Sequence, residues 1–342
     1  MTVKIGLVGF GAGGRWFHAP FIAASDECEL VGIVTRSPER QRLARDEYPA
    51  AYICDSLADL AALGVDAVVI TTPPQTRKEL VLEAIALGLP IVADKPFAPD
   101  AATGSLLAET AERAGVLLNV FHNRRFDADI VTARSVLESG ALGALQRLEL
   151  RCDQDDPSSI EAGPQGGLLR DLGSHVVDQA ILLAGEPRRV TAHLEWQNLA
   201  QGRTDVGFVI AVEHASGAYS TISASKAYRL ESRDLKLLGA AGTYVSDYSD
   251  VQAEAVVAGE RPAGNRAAWG YESDDRWGTL TTADGTRRVT SEQGDYTCYY
   301  DAFAHAVVNG EAGPVPAAQG VTVLRVLDAA RQSAAEHRTV TP

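Results

Sequence analysis

Six residues close to the start of the chain restrict its fold more than any other stretch. Gly9-Phe10-Gly11-Ala12-Gly13-Gly14 is a GxGxxG that directly follows an apolar run at residues 3–8 and opens a helical stretch reaching residue 24. In that setting the first glycine permits a tight turn, the second lets a pyrophosphate approach the backbone, and the third lets helix and strand pack closely. The helix N-terminus adds amide donors and the positive end of its dipole. A glycine-rich turn in an unrelated fold has the same letters, but it does not continue into further strand–helix units.

Here it does continue. Short β-branched runs at 30–34, 52–53, 67–71, 90–93 and 116–121 alternate with helical stretches at 38–47, 56–63, 76–87 and 100–114. That rhythm predicts a parallel sheet with covering helices. After residue 122 it changes. A helix at 127–139 and another at 168–184 stand among long alternating strands at 145–152, 189–196, 206–214, 218–225 and 234–238. Alternation over such lengths predicts a mostly antiparallel sheet with one face open or covered by a partner. Residues 258–277, rich in Gly, Pro, Asp and Trp, read as a long loop, and helices at 296–309 and 317–335 close the chain. With 342 residues, roughly 150 per domain gives two domains. The expected fold is α/β. An N-terminal Rossmann dinucleotide-binding domain spans residues 1–122. A C-terminal α+β domain for substrate binding and oligomerisation spans 123–342, with its last helix free to pack on the first domain.

Charge and cysteine usage narrow the partners. A net charge of −14 is unsuited to nucleic acid, which needs a basic surface to displace counterions. No apolar run approaches the length of a membrane span, and the N-terminus lacks a signal peptide's apolar core and cleavage site. Cys28, Cys54, Cys152 and Cys298 form no CxxC pair, so a reduced, cytoplasmic chain without a zinc framework is expected.

The end of the second strand bears on which dinucleotide is bound. An acidic residue there would hold the ribose 2′-hydroxyl of NAD. The chain has Thr35-Arg36-Ser37 instead, and Asp26, Glu27 and Glu29 lie at the strand's other end. An arginine beside small hydroxyls suits a 2′-phosphate, so NADP(H) is favoured with NAD(H) as the alternative. A solvated surface arginine is the plainer reading of Arg36.

Two further motifs carry chemistry. Asp94-Lys95-Pro96 follows the fifth strand, where the carboxyl ends of parallel strands form a ligand crevice. Lys95 is one of only five lysines; a lysine there can bind a reacting hydroxyl and stabilise alkoxide charge, unless it is simply a solvated loop residue. Asp171 and His175 are spaced i,i+4 on one helix face. They read as a general acid/base with its carboxylate partner, as a structural pair, or as half of a metal site. No companion Cys/His cluster supports a metal, so none is expected and the acid/base reading leads.

Taken in order and spacing, these motifs resemble the Gfo/Idh/MocA family of pyridine-nucleotide oxidoreductases over nearly the whole chain. The fingerprint, Thr71-Thr72-Pro73, Asp94-Lys95-Pro96, His122-Asn123-Arg124-Arg125-Phe126-Asp127 and Asp171-Leu172-Gly173-Ser174-His175 carry the resemblance. His18-Ala19-Pro20-Phe21 and Asp178-Gln179 make it most similar to the NADP-dependent scyllo-inositol dehydrogenase branch. The resemblance implies metal-free hydride transfer between a nicotinamide and a secondary alcohol or ketone of a cyclitol, polyol or sugar. It implies that Lys95 anchors the reacting oxygen and that His175 moves the hydroxyl proton with Asp171 as its partner and as a substrate ligand. Arg124 and Tyr228 would bind substrate, and Thr71, Thr72 and Pro73 would line the nicotinamide side of the cofactor. It also implies a homodimer or homotetramer formed through the C-terminal sheet. Two positions depart from the family pattern: Arg77 stands where a histidine is usual, and Asp94 where a glutamate is usual.

Open alternatives are a different substrate (an NAD-dependent sugar or anhydro-sugar dehydrogenase) and a nucleotide-sensing regulator without turnover. His18 reads equally as a cofactor neighbour or a helix-surface residue. Trp196, Trp269 and Trp277 read as a substrate wall, ordinary packing or a subunit contact. The remaining histidines (His193, His214, His305 and His337) carry no pattern and are expected to be structural or exposed.

Overall fold

Val3–Val8 forms β1, the middle of a parallel sheet. Around it lie β2 (Cys28–Val34), β3 (Tyr52–Cys54), β4 (Ala67–Ile70), β5 (Ile91–Asp94) and β6 (Leu118–Phe121), in the order β3-β2-β1-β4-β5-β6. This is a computed structural model, and it describes residues 2–163, 166–247 and 250–342. The connecting helices are α1 (Ala19–Ala24), α2 (Pro38–Glu47), α3 (Leu57–Ala62), α4 (Pro74–Ala86) and α5 (Ala101–Ala114). Their ends follow from local chemistry. Ser37, Ser56 and Asp100 cap α2, α3 and α5 with side-chain oxygens, and Gly115 ends α5 in the left-handed region. All four residues of β4 and of β6 are buried, as expected of strands covered on both faces. The strand order reverses between β1 and β4, and at such a switch point the carboxyl ends of the strands open a crevice.

The second sheet is larger and mostly antiparallel. Its strands are β7 (Leu145–Asp153), β8 (Pro187–Leu199), β9 (Gly202–His214), β10 (Tyr219–Ser225), β11 (Ser232–Gly239), β12 (Gly242–Ser246), β13 (Thr279–Thr282) and β14 (Gly285–Arg288). They run in the order β14-β13-β12-β11-β7-β10-β9-β8, and among these neighbours only β7 and β10 pair in parallel. Helices α6 (Ala128–Glu138) and α7 (Leu168–Ala184) belong to the same unit. Along β9, Val206, Phe208, Ile210 and Val212 are buried while Val209 and Glu213 are exposed. That alternation marks one covered face and one open one. The architecture is therefore α/β, a Rossmann sheet plus an α+β half with a large, mostly antiparallel sheet.

Two compact units emerge. One comprises Met1–Phe126, Val251–Trp269 and Asp295–Val321; the other comprises Asp127–Asp250, Gly270–Gly294 and Thr322–Pro342. A single cut after residue 122 does not describe this division, because two later stretches return to the first unit. They carry α8 (Val251–Val257) and α9 (Thr297–Asn309), while α10 (Ala317–Glu336) changes unit after Val321. The 258–277 stretch expected as a loop is one apart from two short turns at Arg266–Ala268 and Asp274–Arg276. Helix α8 and strands β12 to β14 were not anticipated from the sequence.

Candidate functional site

The glycine loop leaves β1 with Gly9 at φ +109°, where a Cβ would sit 2.9 Å from the Thr71 carbonyl oxygen. A Cβ on Gly14 would overlap the Gly9 carbonyl itself, and one on Gly13 would lie 2.8 Å from Thr71 Oγ1. Neighbouring backbone occupies the side-chain space at Gly9 and Gly14, and the Thr71 and Asp94 side chains occupy it at Gly13. Gly11 is different: its nearest neighbour is an Arg40 guanidinium nitrogen, 3.7 Å from its would-be Cβ. Phe10 is buried and packs edge-on against Tyr48, and Ala12 is exposed. After the loop, Gly13–His18 winds wider than an α-helix, with the Ala19 amide reaching back five residues to the Gly14 carbonyl.

At the end of β2, Thr35 is buried and its carbonyl accepts from Gln41, whereas Arg36 is exposed. Ser37 then caps α2 and thereby sets the course of its first turn, which carries Arg40. The cradle that a Cβ would fill, bordered by guanidinium, fits a dinucleotide's phosphates. Arg40 was missed in the sequence. Its spacing from Ser37 was legible, but its approach to Gly11 was not.

Lys95, half-buried, follows β5 directly, and its peptide bond to Pro96 is cis. Beneath it lies a polar network within the first unit. Asp94 Oδ1 accepts the Lys95 backbone N–H at 2.8 Å, and Asp94 Oδ2 accepts Thr71 Oγ1–H at 2.9 Å. The Arg77 guanidinium lies 3.5 Å from Oδ2, and His18 Nε2 faces Oδ1 at 3.6 Å. Burial opposes the charge on Asp94, but His18, Arg77 and Lys95 outweigh it and hold the carboxyl well below the usual carboxylate range. His18 is fully buried, which removes the helix-surface reading. Its Nδ1 bonds Tyr300 Oη at 2.5 Å, and its ring lies 4.1 Å from that of Phe121. Burial raises the Tyr300 hydroxyl well above its ordinary value, so it keeps its proton and can donate to Nδ1. Thr72 and Pro73 lead into α4, with Thr76 Oγ1 bonded to both.

In the second unit, Asp171 and His175 lie on the first turns of α7. That helix starts after Gly167, which has no capping side chain. Asp205 on β9 fills the role instead, accepting the Leu169 amide at 2.6 Å. Burial raises the Asp205 carboxyl against the Leu169 bond that lowers it. Asp171 Oδ2 accepts from Lys226 Nζ at 2.9 Å, just past the end of β10. Lys226 is buried and was not singled out in the sequence, although it too is one of the five lysines. His175 is buried. Tyr228 is exposed, with its hydroxyl beside Glu195, and Arg124, in the first unit, is half-buried in a short turn at Asn123–Phe126. Trp269 is a packing residue, buried against Phe21 and donating to Gln252. Trp196 is partly exposed under the Arg203 guanidinium. Of the four histidines without a pattern, His214 is buried and bonded to Gly185 O and Ser220 Oγ.

Comparison with known proteins agrees with this geometry. The pattern described as an oxidoreductase family, NAD-binding Rossmann fold, matches residues 3–122, and the same family's C-terminal alpha/beta domain matches residues 134–341. The chain belongs to the Gfo/Idh/MocA oxidoreductase family. It is 29% identical to scyllo-inositol 2-dehydrogenase (NADP(+)) IolW of Bacillus subtilis (strain 168), over 99% of this chain and 96% of that one. It is 27% identical to an inositol 2-dehydrogenase of Rhizobium meliloti (strain 1021), over 99% of each. The solved structure of the oxidoreductase yvaA from Bacillus subtilis superposes with a TM-score of 0.91 at 29% identity, covering both chains completely. The chain is thus an NAD(P)-dependent oxidoreductase with a dinucleotide-binding Rossmann half. Among the described residues, no group of three His, Cys, Asp or Glu could hold a metal ion, and no helix is long and apolar enough to cross a membrane.

Proposed function

We propose that the chain is an NADP-dependent dehydrogenase or reductase of a cyclitol, polyol or sugar, with a scyllo-inositol-like substrate favoured. One observation carries this reading: the switch-point edge gathers the glycine cradle, Thr71 and the Asp94-Lys95 turn, with Asp94 Oδ2 only 3.3 Å from the would-be Cβ of Gly13. Gly9, Phe10, Gly11, Ala12, Gly13 and Gly14 would hold the pyrophosphate by their backbone. Thr35, Arg36 and Arg40 would receive the 2′-phosphate, and Thr71, Thr72, Pro73 and Lys95 would border the nicotinamide. The bound cofactor supplies the hydride acceptor or donor.

The protein's own groups supply the remaining steps. Lys95 holds the reacting oxygen and stabilises its developing negative charge. His175 takes the hydroxyl proton in oxidation and returns it in reduction. Asp171, paired with Lys226 at 2.9 Å, orients the substrate and supports His175. Arg124 and Tyr228 contact further hydroxyls. The similarity to an NADP(+)-dependent scyllo-inositol dehydrogenase supports the substrate class and the cofactor choice. The open face of the eight-stranded sheet, with Val209, Tyr219 and Val245 exposed, is the surface we assign to a second copy of the chain.

A panel of inositols, aldoses and ketoses, followed at the reduced-nicotinamide absorbance with both cofactors, tests the activity. Turnover of a cyclitol with NADP(H) in preference to NAD(H) is expected. Tight NADP(H) binding without turnover of any member would overturn the reading in favour of a sensor. A monomeric sedimentation profile at micromolar concentration would remove the second copy.

A further inference from the structure

The two departures from the family pattern, Arg77 and Asp94, meet in space. Arg77 lies on the first turn of α4 and is buried. Its Nε donates to the Thr72 carbonyl at 2.7 Å; its Nη1 donates to the Asp94 carbonyl at 2.5 Å and also to the Pro96 carbonyl. Its Nη2 lies 3.5 Å from Asp94 Oδ2. One planar guanidinium therefore grips the main chain on both sides of Lys95 and ties it to the turn after β4. An imidazole has two nitrogens and cannot serve four oxygens, and an ammonium on a flexible stem lacks the fixed fork.

The carboxylate is equally constrained. Asp94 uses Oδ1 for the Lys95 amide and Oδ2 for Thr71 and Arg77. The would-be Cβ of Gly13 lies only 3.3 Å from Oδ2, so a longer acid in this pose would push into the glycine loop. The shorter acid and the larger cation fill the same space together.

We infer that Arg77 and Asp94 form a compensated pair that mounts Lys95, with Arg77 acting as a positioning residue rather than touching substrate. The inference rests on Lys95 holding the reacting oxygen, as proposed above.

The test combines Arg77→His, Asp94→Glu, their double variant and Arg77→Lys, using the polyol that turns over best and NADP(H). Each single change is expected to lower kcat by roughly ten- to a hundredfold, the scale of a small misplacement of a reacting group. In the two Arg77 variants NADP(H) affinity and substrate KM should move by less than about threefold, because no binding group is removed, whereas Asp94→Glu, which presses on the glycine loop, should also weaken NADP(H). The double variant should recover to within about threefold of wild type, since the two losses are one coupled effect. Additive losses in the double variant, or wild-type kcat in Arg77→His, would overturn the inference. A second readout needs no turnover: acetylation of Lys95 in the NADP(H)-bound protein, followed by peptide mass spectrometry with Lys78 as internal reference. Arg77→His should change the relative rate by at least about threefold and the double variant should restore it. Equal rates in all proteins refute the mount even if the polyol panel is silent.

Discussion

Substituting Lys226 by Met tests how the second unit holds its candidate acid/base. The Lys226 ammonium is 2.9 Å from Asp171 Oδ2, with side-chain exposures of 7% and 28%. At that distance and an effective dielectric of about 20, the gross attraction is about 6 kcal/mol. Dehydrating the ions takes back much of it, and Asp171 keeps part of its water. The net coupling should therefore be about 1–3 kcal/mol, below the cost of breaking a fully buried pair. The unequal exposures add a directional expectation. Lys226→Met leaves behind a carboxylate that water can reach, whereas Asp171→Ala strands an ammonium in a buried setting. Asp171→Ala should therefore destabilise more than Lys226→Met. Urea denaturation of the wild type, both singles and the double, followed by tryptophan fluorescence, gives the cycle. In parallel, Lys226→Met should lower kcat/KM by about tenfold or more if Asp171 must stay anionic and fixed. A coupling below about 0.5 kcal/mol, or equal losses from the two singles, would refute this account of the pair.

The remaining expectations concern the other elements. Gly14→Ala forces a methyl against the Gly9 carbonyl and should weaken NADP(H) binding by about a hundredfold, read by the fluorescence of the reduced cofactor; unchanged affinity would mean the loop can move. Arg36→Ala and Arg40→Ala should each weaken NADP(H) by roughly tenfold more than NAD(H), and equal losses would remove the 2′-phosphate assignment. Burial lowers the His214 pKa below 6.5, against the Gly185 bond that raises it. The unfolded chain then binds the proton more readily than the folded one, so stability is lost as the pH falls below about 6.5. His214→Gln should flatten that part of the thermal-midpoint profile, and an unchanged profile would refute the assignment.

The first half of the fold was legible because its signals are local. Proline, serine and glycine punctuate each helix, and β-branched runs such as 67–70 have no polar break. The strands β13 and β14 were not legible, because Thr279–Thr282 is polar and all four residues of Gly285–Arg288 are exposed. Only pairing makes them strands, β13 to β12 and β14 to β13. Helix α8 is one short heptapeptide without a clear apolar face, and it takes its place from packing in a unit whose other residues lie far away in sequence. The motif residues of the candidate site were visible, since spacing alone sets Asp171 and His175 on one face of α7. Their supports were not. Lys226 is 55 residues from Asp171, and His18 owes its burial to contacts that include Tyr300, 282 residues away. Arg77 was conspicuous as a departure, but nothing in the sequence told that its donors bracket Lys95.

The same contrast resolves how a chain of net charge −14 can serve a polyanionic cofactor. Net charge governs long-range repulsion, which salt screens within about 10 Å. The fields that matter at the crevice are those of groups touching it. Arg40 beside the glycine loop, Arg36 after β2 and Lys95 after β5 are cationic, and the acid next to Lys95 does not cancel them. Asp94 is committed to Thr71, Arg77 and the Lys95 amide, so its charge is already matched by partners within its own network. Replacing that carboxylate by Asn would not make the crevice a better anion site. It would take the Asp94 carboxylate from the buried Arg77, loosen both carbonyls flanking Lys95, and weaken the very edge assigned to the nicotinamide.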